Sequence, residues 1–305
     1  MNVIESIQKL GGYLSAISAF SFWGLIPLYW REVSGYSSFV LLGHRVVWGA
    51  LVLCLYLTLF RKVNPLAILK VPFAKGSSWL FVSSLLIGTN WFIFMYAVSV
   101  DKVVEASLGY FLNPLINVFL GLILFGERVS TLKWVSIGLA FIGLVIFSLG
   151  KLSSPGISLV LACTFALYGV LHKKSRIAPL SGLYIETIFL LVFLLPILAV
   201  SGHFPLGNFV SSVQTKDFLW LFAAGPVTIF PLLLFTFAVK RIPYSSIGII
   251  QYLAPLGQFA LGVTIFGQRL ELKALIAFSL IWVALCLFSL GEYFSLAKGH
   301  KEKTP

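Results

Sequence analysis

Residues 112–128 read LNPLINVFLGLILFGER, and residues 253–269, 141 positions later, read LAPLGQFALGVTIFGQR. Leu112, Pro114 and Leu115 fall on Leu253, Pro255 and Leu256, and Phe125-Gly126 with Arg128 falls on Phe266-Gly267 with Arg269. Leucine and phenylalanine recur cheaply in apolar helices, but a proline, a glycine and an arginine in one register do not. The same offset holds on both sides of the stretch. Trp79-Leu80-Phe81 meets Trp220-Leu221-Phe222, Ala97-Val98 meets Ala238-Val239, and Phe147-Ser148-Leu149-Gly150 meets Phe288-Ser289-Leu290-Gly291. At a slightly different offset Trp23-Gly24 meets Tyr168-Gly169. The chain is two copies of one unit.

The repeated unit is built for lipid. Of 305 residues 59% are hydrophobic and 10% charged, with a mean hydropathy of +0.99. A soluble domain carries roughly 25% charged residues, so this chain cannot cover a water-exposed surface of its size. Apolar runs of about 20 residues, the length that crosses ~30 Å of hydrocarbon, alternate with short polar breaks. They place spans near 10–30, 38–60, 78–98, 103–125, 132–150, 155–172, 181–201, 217–239, 244–266 and 272–292. Met1 to Trp30 has a basic start and an apolar stretch but no small-residue cleavage site, and reads as a retained first helix. Each copy then holds five spans, 10–150 and 155–292. An odd number makes the second copy enter from the opposite side. The expected fold is an all-α membrane protein of ten transmembrane helices in two inverted five-helix repeats.

Basic residues orient it. With the N-terminus cytoplasmic, Lys9, Arg61, Lys62, Lys70, Lys75, Arg128, Lys133, Lys173, Lys174, Arg176, Lys240, Arg241, Lys298, Lys301 and Lys303 lie inside, against Arg31, Lys102, Lys151, Lys216, Arg269 and Lys273 outside. That asymmetry predicts both termini in the cytoplasm. The net charge of +12 reflects these flanks. It forms no basic face for nucleic acid. Cys54, Cys163 and Cys286 sit singly in apolar runs and read as packing residues.

Charge inside a span costs about 2.5–3.5 kcal/mol on insertion scales, so each instance needs a reason. Arg45 lies about two turns into the second span, roughly 10 Å deep. Glu186 lies at the equivalent place in the seventh. Either each is shallow enough to reach the interface, or Arg45 contacts an anion and Glu186 a cation or proton. His44, beside Arg45, is a second proton-titrating candidate or a satisfied structural histidine. Glu105 opens the fourth span, where a carboxylate suits the helix N-terminus.

The densest polar cluster is Tyr110, Asn113, Pro114 and Asn117. Asn113 and Asn117 share a helix face, and Pro114 frees the carbonyl of Tyr110. Gln251, Tyr252 and Pro255 are its repeat counterpart, Asn90 and Trp91 add an amide and an aromatic, and Pro226 and Pro231 interrupt the eighth span. Kinked helices with amides and aromatics at one depth suit a solute cavity, and amides also pack helix to helix. Trp23 and Tyr168 are at equivalent places and fit either role. No nucleotide loop, metal-binding or nucleophile motif is present, and no cofactor or catalytic residue is expected. The energy source is then an ion gradient or the solute's own. Partners are a small solute, the bilayer and, through Glu186 and His44, protons.

His44-Arg45-Val46-Val47-Trp48, Gly88 with Asn90-Trp91, Glu105 to Phe111 (EASLGYF) with Asn113-Pro114, and Glu186-Thr187 resemble the RarD-type proteins. These are the chloramphenicol-sensitivity permeases in the EamA group of the drug/metabolite transporter superfamily. The likeness runs from about Leu14 to Leu290. It implies a bacterial inner-membrane exporter of drugs or metabolites with a central cavity. The second repeat departs at Ser246, where the first has Glu105. The expected activity is secondary export of a small amphipathic solute by alternating access, with Arg45, Asn90, Trp91, Tyr110, Asn113, Asn117, Glu186, Gln251 and Tyr252 as its contacts. A passive channel and a non-transporting membrane sensor are the alternatives.

Overall fold

The computed structural model describes residues 3–70, 79–100, 102–149, 155–200, 215–267 and 272–301. Lys75, Lys151, Arg269 and Lys303, used above to orient the chain, lie outside the described residues. The helices are α1 (Val3–Glu32), α2 (Ser38–Leu59), α3 (Trp79–Ser99), α4 (Val103–Phe125), α5 (Thr131–Ser148), α6 (Pro155–Lys174), α7 (Pro179–Val200), α8 (Thr215–Val239), α9 (Tyr244–Ile250), α10 (Leu253–Thr264) and α11 (Leu272–Lys301). A helical turn, Pro65–Ile68, lies between α2 and α3. Among the described residues eight stretches are long and apolar enough to cross a bilayer, α9 and α10 together forming one of them. The third and seventh spans are α3 and α7, 21 and 22 residues long, whose apolar stretches are shorter. That makes ten.

The packing repeats under exchange of the halves. Three helices meet their own counterparts: α2 meets α7, α4 meets α9, and α5 meets α11. Three further contacts come in pairs. α1 on α10 matches α6 on α4, α1 on α8 matches α6 on α3, and α2 on α8 matches α7 on α3. The start of α1 lies beside the α8–α9 turn, where a Cβ on Gly12 would come within 2.8 Å of Arg241 and Ile242. The last third of α11 begins beside the start of α5, at Gly291 and Lys133. The first and last helices thus reach the same end of the bundle, the one carrying the α6–α7 turn. Ile123, Phe141, Ile142, Trp282 and Val283 are exposed around the outside, an apolar band suited to lipid.

The Phe-Gly match has a conformational cause. Gly126 follows α4 with φ 60°, and Gly267 follows α10 with φ 63°. Both take the left-handed conformation, which a side chain disfavours; Gly126 is the C-cap of α4, and Gly267 lies two residues past Ile265, the C-cap of α10. The prolines behave less evenly than expected. Pro114 lies inside an unbroken α4, and Pro226 and Pro231 lie inside an unbroken α8, so neither span is interrupted. Neighbouring helices and local adjustment hold a proline-bearing span together. The break falls in the ninth span. Pro255 has no N–H for the carbonyl of Gln251, which instead accepts from Ala254 at 3.1 Å, tightening the turn between α9 and α10.

Candidate functional site

Two polar clusters occupy equivalent positions in the two repeats, and they differ in access. The first borders a cavity of about 320 Å³ among α1, α2, α3, α4, α6, α8 and the α9–α10 span. It lies in the half of the bundle toward the α1–α2 turn. Phe20, Trp23, Trp30, Trp91, Phe94 and Phe165 supply aromatic walls, and Asn90, Ser107, Tyr110, Thr228, Gln251 and Gln258 supply neutral polar groups. Arg45 is the single charged residue of the lining. A volume at the lower end of the range for small-molecule sites suits a compact solute.

Helix packing sets the position of Arg45. A Cβ on Gly225 of α8 would lie 2.5 Å from the backbone of Trp48 and 2.6 Å from that of Gly49, so glycine permits α2 and α8 to touch. One turn along each helix from that contact, Arg45 Nε donates to Thr228 Oγ1 at 2.9 Å. The Thr228 hydroxyl donates back to the carbonyl of Ala224 at 2.8 Å, which leaves its lone pairs for the guanidinium. The guanidinium carbon is 4.6 Å from the Trp91 ring centre and 5.6 Å from that of Trp30. Two ring faces offset part of the cost of holding a cation in the bilayer.

The second cluster surrounds Glu186 and is buried. His172 Nε2 lies 2.8 Å from Glu186 Oε1, and Ser83 Oγ donates to the same oxygen at 2.5 Å. Tyr168 OH donates to Oε2 at 3.1 Å. Glu186 and His172 are each 1% exposed. Arg45 on α2 meets α1 through Trp30 and α8 through Thr228, while Glu186 on α7 meets α6 through His172 and Tyr168 and α3 through Ser83. Exchange of the repeats maps each set of helices onto the other.

Beyond Glu186 the α6–α7 end is tied shut. Glu127 accepts from the backbone N–H of Tyr244 at 2.6 Å and of Ser245 at 2.8 Å, capping α9, with Lys173 3.8 Å away. Lys173 donates to the carbonyls of Val239 and Ile242, at 3.2 and 2.6 Å. Lys240 reaches back to the carbonyls of Ser175, at 2.9 Å, and Ile177. Burial, and then Arg241 beside it, hold the Lys240 ammonium below the usual lysine range.

Of the residues singled out from sequence, Arg45, Asn90, Trp91, Tyr110 and Gln251 line the cavity, as does Trp23. Asn113 and Asn117 lie between helices instead. Asn113 Nδ2 donates to the carbonyl of Ala162 on α6, and Asn117 Nδ2 donates to Asn113 Oδ1 at 3.1 Å and Gln251 Oε1 at 2.7 Å. Tyr252 is buried among α4, α5 and α11. His44 Nδ1 accepts from Trp48 Nε1 at 2.9 Å. The imidazole that faces Glu186 is that of His172. Thr228, Trp30, Ser83 and His172 were missed. His172 and Tyr168 are four apart and share a face of α6, which was the available signal.

The model of the EamA-like transporter family matches residues 10–149 and 154–290. The chain is 36% identical over 297 residues to an uncharacterized transporter of Pseudomonas aeruginosa, covering 94% of this chain and 96% of that one. It is 35% identical over 304 residues to protein RarD of Escherichia coli, covering 98% and 100%. A solved structure, described only as the crystal structure of a protein, matches with a TM-score of 0.70. It covers 92% of this chain and 97% of that one at 19% identity, a likeness of fold alone.

Proposed function

The chain belongs to the EamA-like transporter family, and from that premise we propose that it is a secondary exporter of small amphipathic solutes working by alternating access. The observation carrying this is the difference between two equivalent clusters. Arg45 borders a cavity, and Glu186 is sealed. In an inverted repeat the halves can exchange conformations, which closes the first cluster and opens the second. A passive channel would need both ends open together, and the ties around Lys173 and Lys240 disfavour it.

The structure corresponds, in this reading, to the state open toward the periplasm of a bacterial inner membrane, with both chain termini in the cytoplasm. The asymmetry of basic residues supports that orientation. Solute contacts are Arg45, Asn90, Trp91, Tyr110 and Gln251. Asn113 and Asn117 act behind them, by holding α4 against α6 and the α9–α10 turn, and Tyr252 packs that turn against α5 and α11. A proton on Glu186 would turn an acceptor-only carboxylate into a donor and remove the charge facing His172. That would loosen the sealed cluster, coupling proton entry to opening. His44, bonded to Trp48, supports the Arg45 side and takes no proton in this scheme.

Proteoliposomes test the reading. Chloramphenicol-like compounds or amino acids should move faster with the protein present, saturate with concentration, and show counterflow exchange. Fluxes equal to those of empty vesicles for every compound would overturn it.

A further inference from the structure

The two intramembrane charges are treated differently, and that difference bears on the solute. Glu186 is compensated by His172, Ser83 and Tyr168. Among the described residues Arg45 forms no ion pair, and no carboxylate lines its cavity. Its Nε is committed to Thr228. The terminal nitrogens hold the remaining donors of the fork, the edge that pairs with a planar anion through two parallel bonds. Trp30 and Trp91 flank the guanidinium, and Trp23 and Phe165 stack edge-to-face at 5.7 Å deeper in the same cavity.

We infer that the solute is an organic monoanion with an aromatic body, its carboxylate or similar planar anionic group held end-on by Arg45 and its ring set among the cavity tryptophans. Ground for the anion is the uncompensated cation facing a cavity in lipid, where an opposite charge is strongly favoured. Ground for the ring is the wall of aromatic side chains, which adds area and specific geometry. A primary amine would meet Arg45 with no acid to offset the repulsion. A neutral amide would leave the fork half used. The inference rests on the transport reading and narrows its solute class.

Binding to the purified full chain in lipid nanodiscs tests it, read through tryptophan fluorescence. The probes are 3-phenylpropionate, its amide 3-phenylpropanamide, and the matched amine 3-phenylpropylamine. The acid should bind about tenfold tighter than the amide or more, and the amine weakest. Arg45→Gln should erase the preference for the acid, and Arg45→Lys should keep part of it, since charge survives without the fork. An amide or amine binding as tightly as the acid overturns the inference, as does a preference that survives Arg45→Gln. The wild-type comparison stands even where a variant fails to fold. Transport of neutral solutes without preference for the acid would leave the transport reading intact and this one overturned. Selective binding of the acid without flux of any solute would do the reverse.

Discussion

Arg45 and Glu186 stand 141 residues apart, at the same depth of inverted repeats, and the first faces a cavity while the second is 1% exposed with His172 at 2.8 Å. One unit has been built in two conformations within a single chain.

Thr228→Val removes the acceptor of Arg45 Nε at nearly constant volume. A donor fully buried without a partner would cost ~1–3 kcal/mol and a charged one more, but water in the cavity can replace the hydroxyl, so about 1 kcal/mol is expected. Transport assays should show half-saturation raised roughly fivefold with little change in maximal rate.

His172 and Glu186 should be energetically coupled. Removing His172 alone takes one of three partners from a carboxylate in a dry cluster and leaves Ser83 and Tyr168 to hold it, a loss of about 1–3 kcal/mol. Glu186→Gln removes the charge instead. Thermal unfolding in detergent should therefore show His172→Ala destabilising and the double variant partly restored. Additive effects within ~0.5 kcal/mol would show that the two do not act as a pair.

Proton coupling gives a separate readout. With Glu186→Gln, flux driven by an imposed pH gradient should fall at least about tenfold while counterflow exchange of solute persists. A pH-driven flux that survives Glu186→Gln would remove the proton from the scheme.

Much of this architecture is legible in the residues and some is not, for a physical reason. Span number, the repeat, and the polar residues Arg45, Asn90, Trp91 and Tyr110 announce themselves, because lipid penalises every polar group and a helix fixes its depth from its sequence position. The rotation of each helix about its axis carries no such signature. Asn113 and Asn117 plainly share a face, but only packing against α6 and α9 turns that face away from the cavity. His172 is followed by Lys173 and Lys174, so its position reads as a membrane interface. Its contact with Glu186 depends on how α6 meets α7. Pro114 and Pro255 occupy the same place in the repeat, and only the second accompanies a break, which local sequence does not distinguish.

Closure at the α6–α7 end should yield to Lys240→Met, which deletes its bonds to the carbonyls of Ser175 and Ile177. The group is partly exposed, so about 1 kcal/mol is a fair discount, a roughly fivefold shift toward the open state. Proteolysis or hydrogen exchange at the α6–α7 turn should report it as faster opening.

Assembly itself hangs on the α2–α8 contact. Gly225→Val places methyls where Trp48 and Gly49 backbone atoms already lie within 2.5–2.6 Å of the first carbon. Overpacking of this kind costs typically 1–3 kcal/mol, and here it also pulls Thr228 from Arg45. Fluorescence-detected size exclusion should show a lower melting temperature and loss of the folded peak before other variants.

The central claim is that the two clusters open in turn. In a chain whose Cys54, Cys163 and Cys286 are replaced, Ser107→Cys samples the cavity and Ser83→Cys samples the sealed cluster. A membrane-impermeant thiol reagent should reach the first from one side of the membrane and the second only from the other, with conditions that speed one reaction slowing the other. Simultaneous labelling of both from a single side, or rates that rise and fall together, would contradict it.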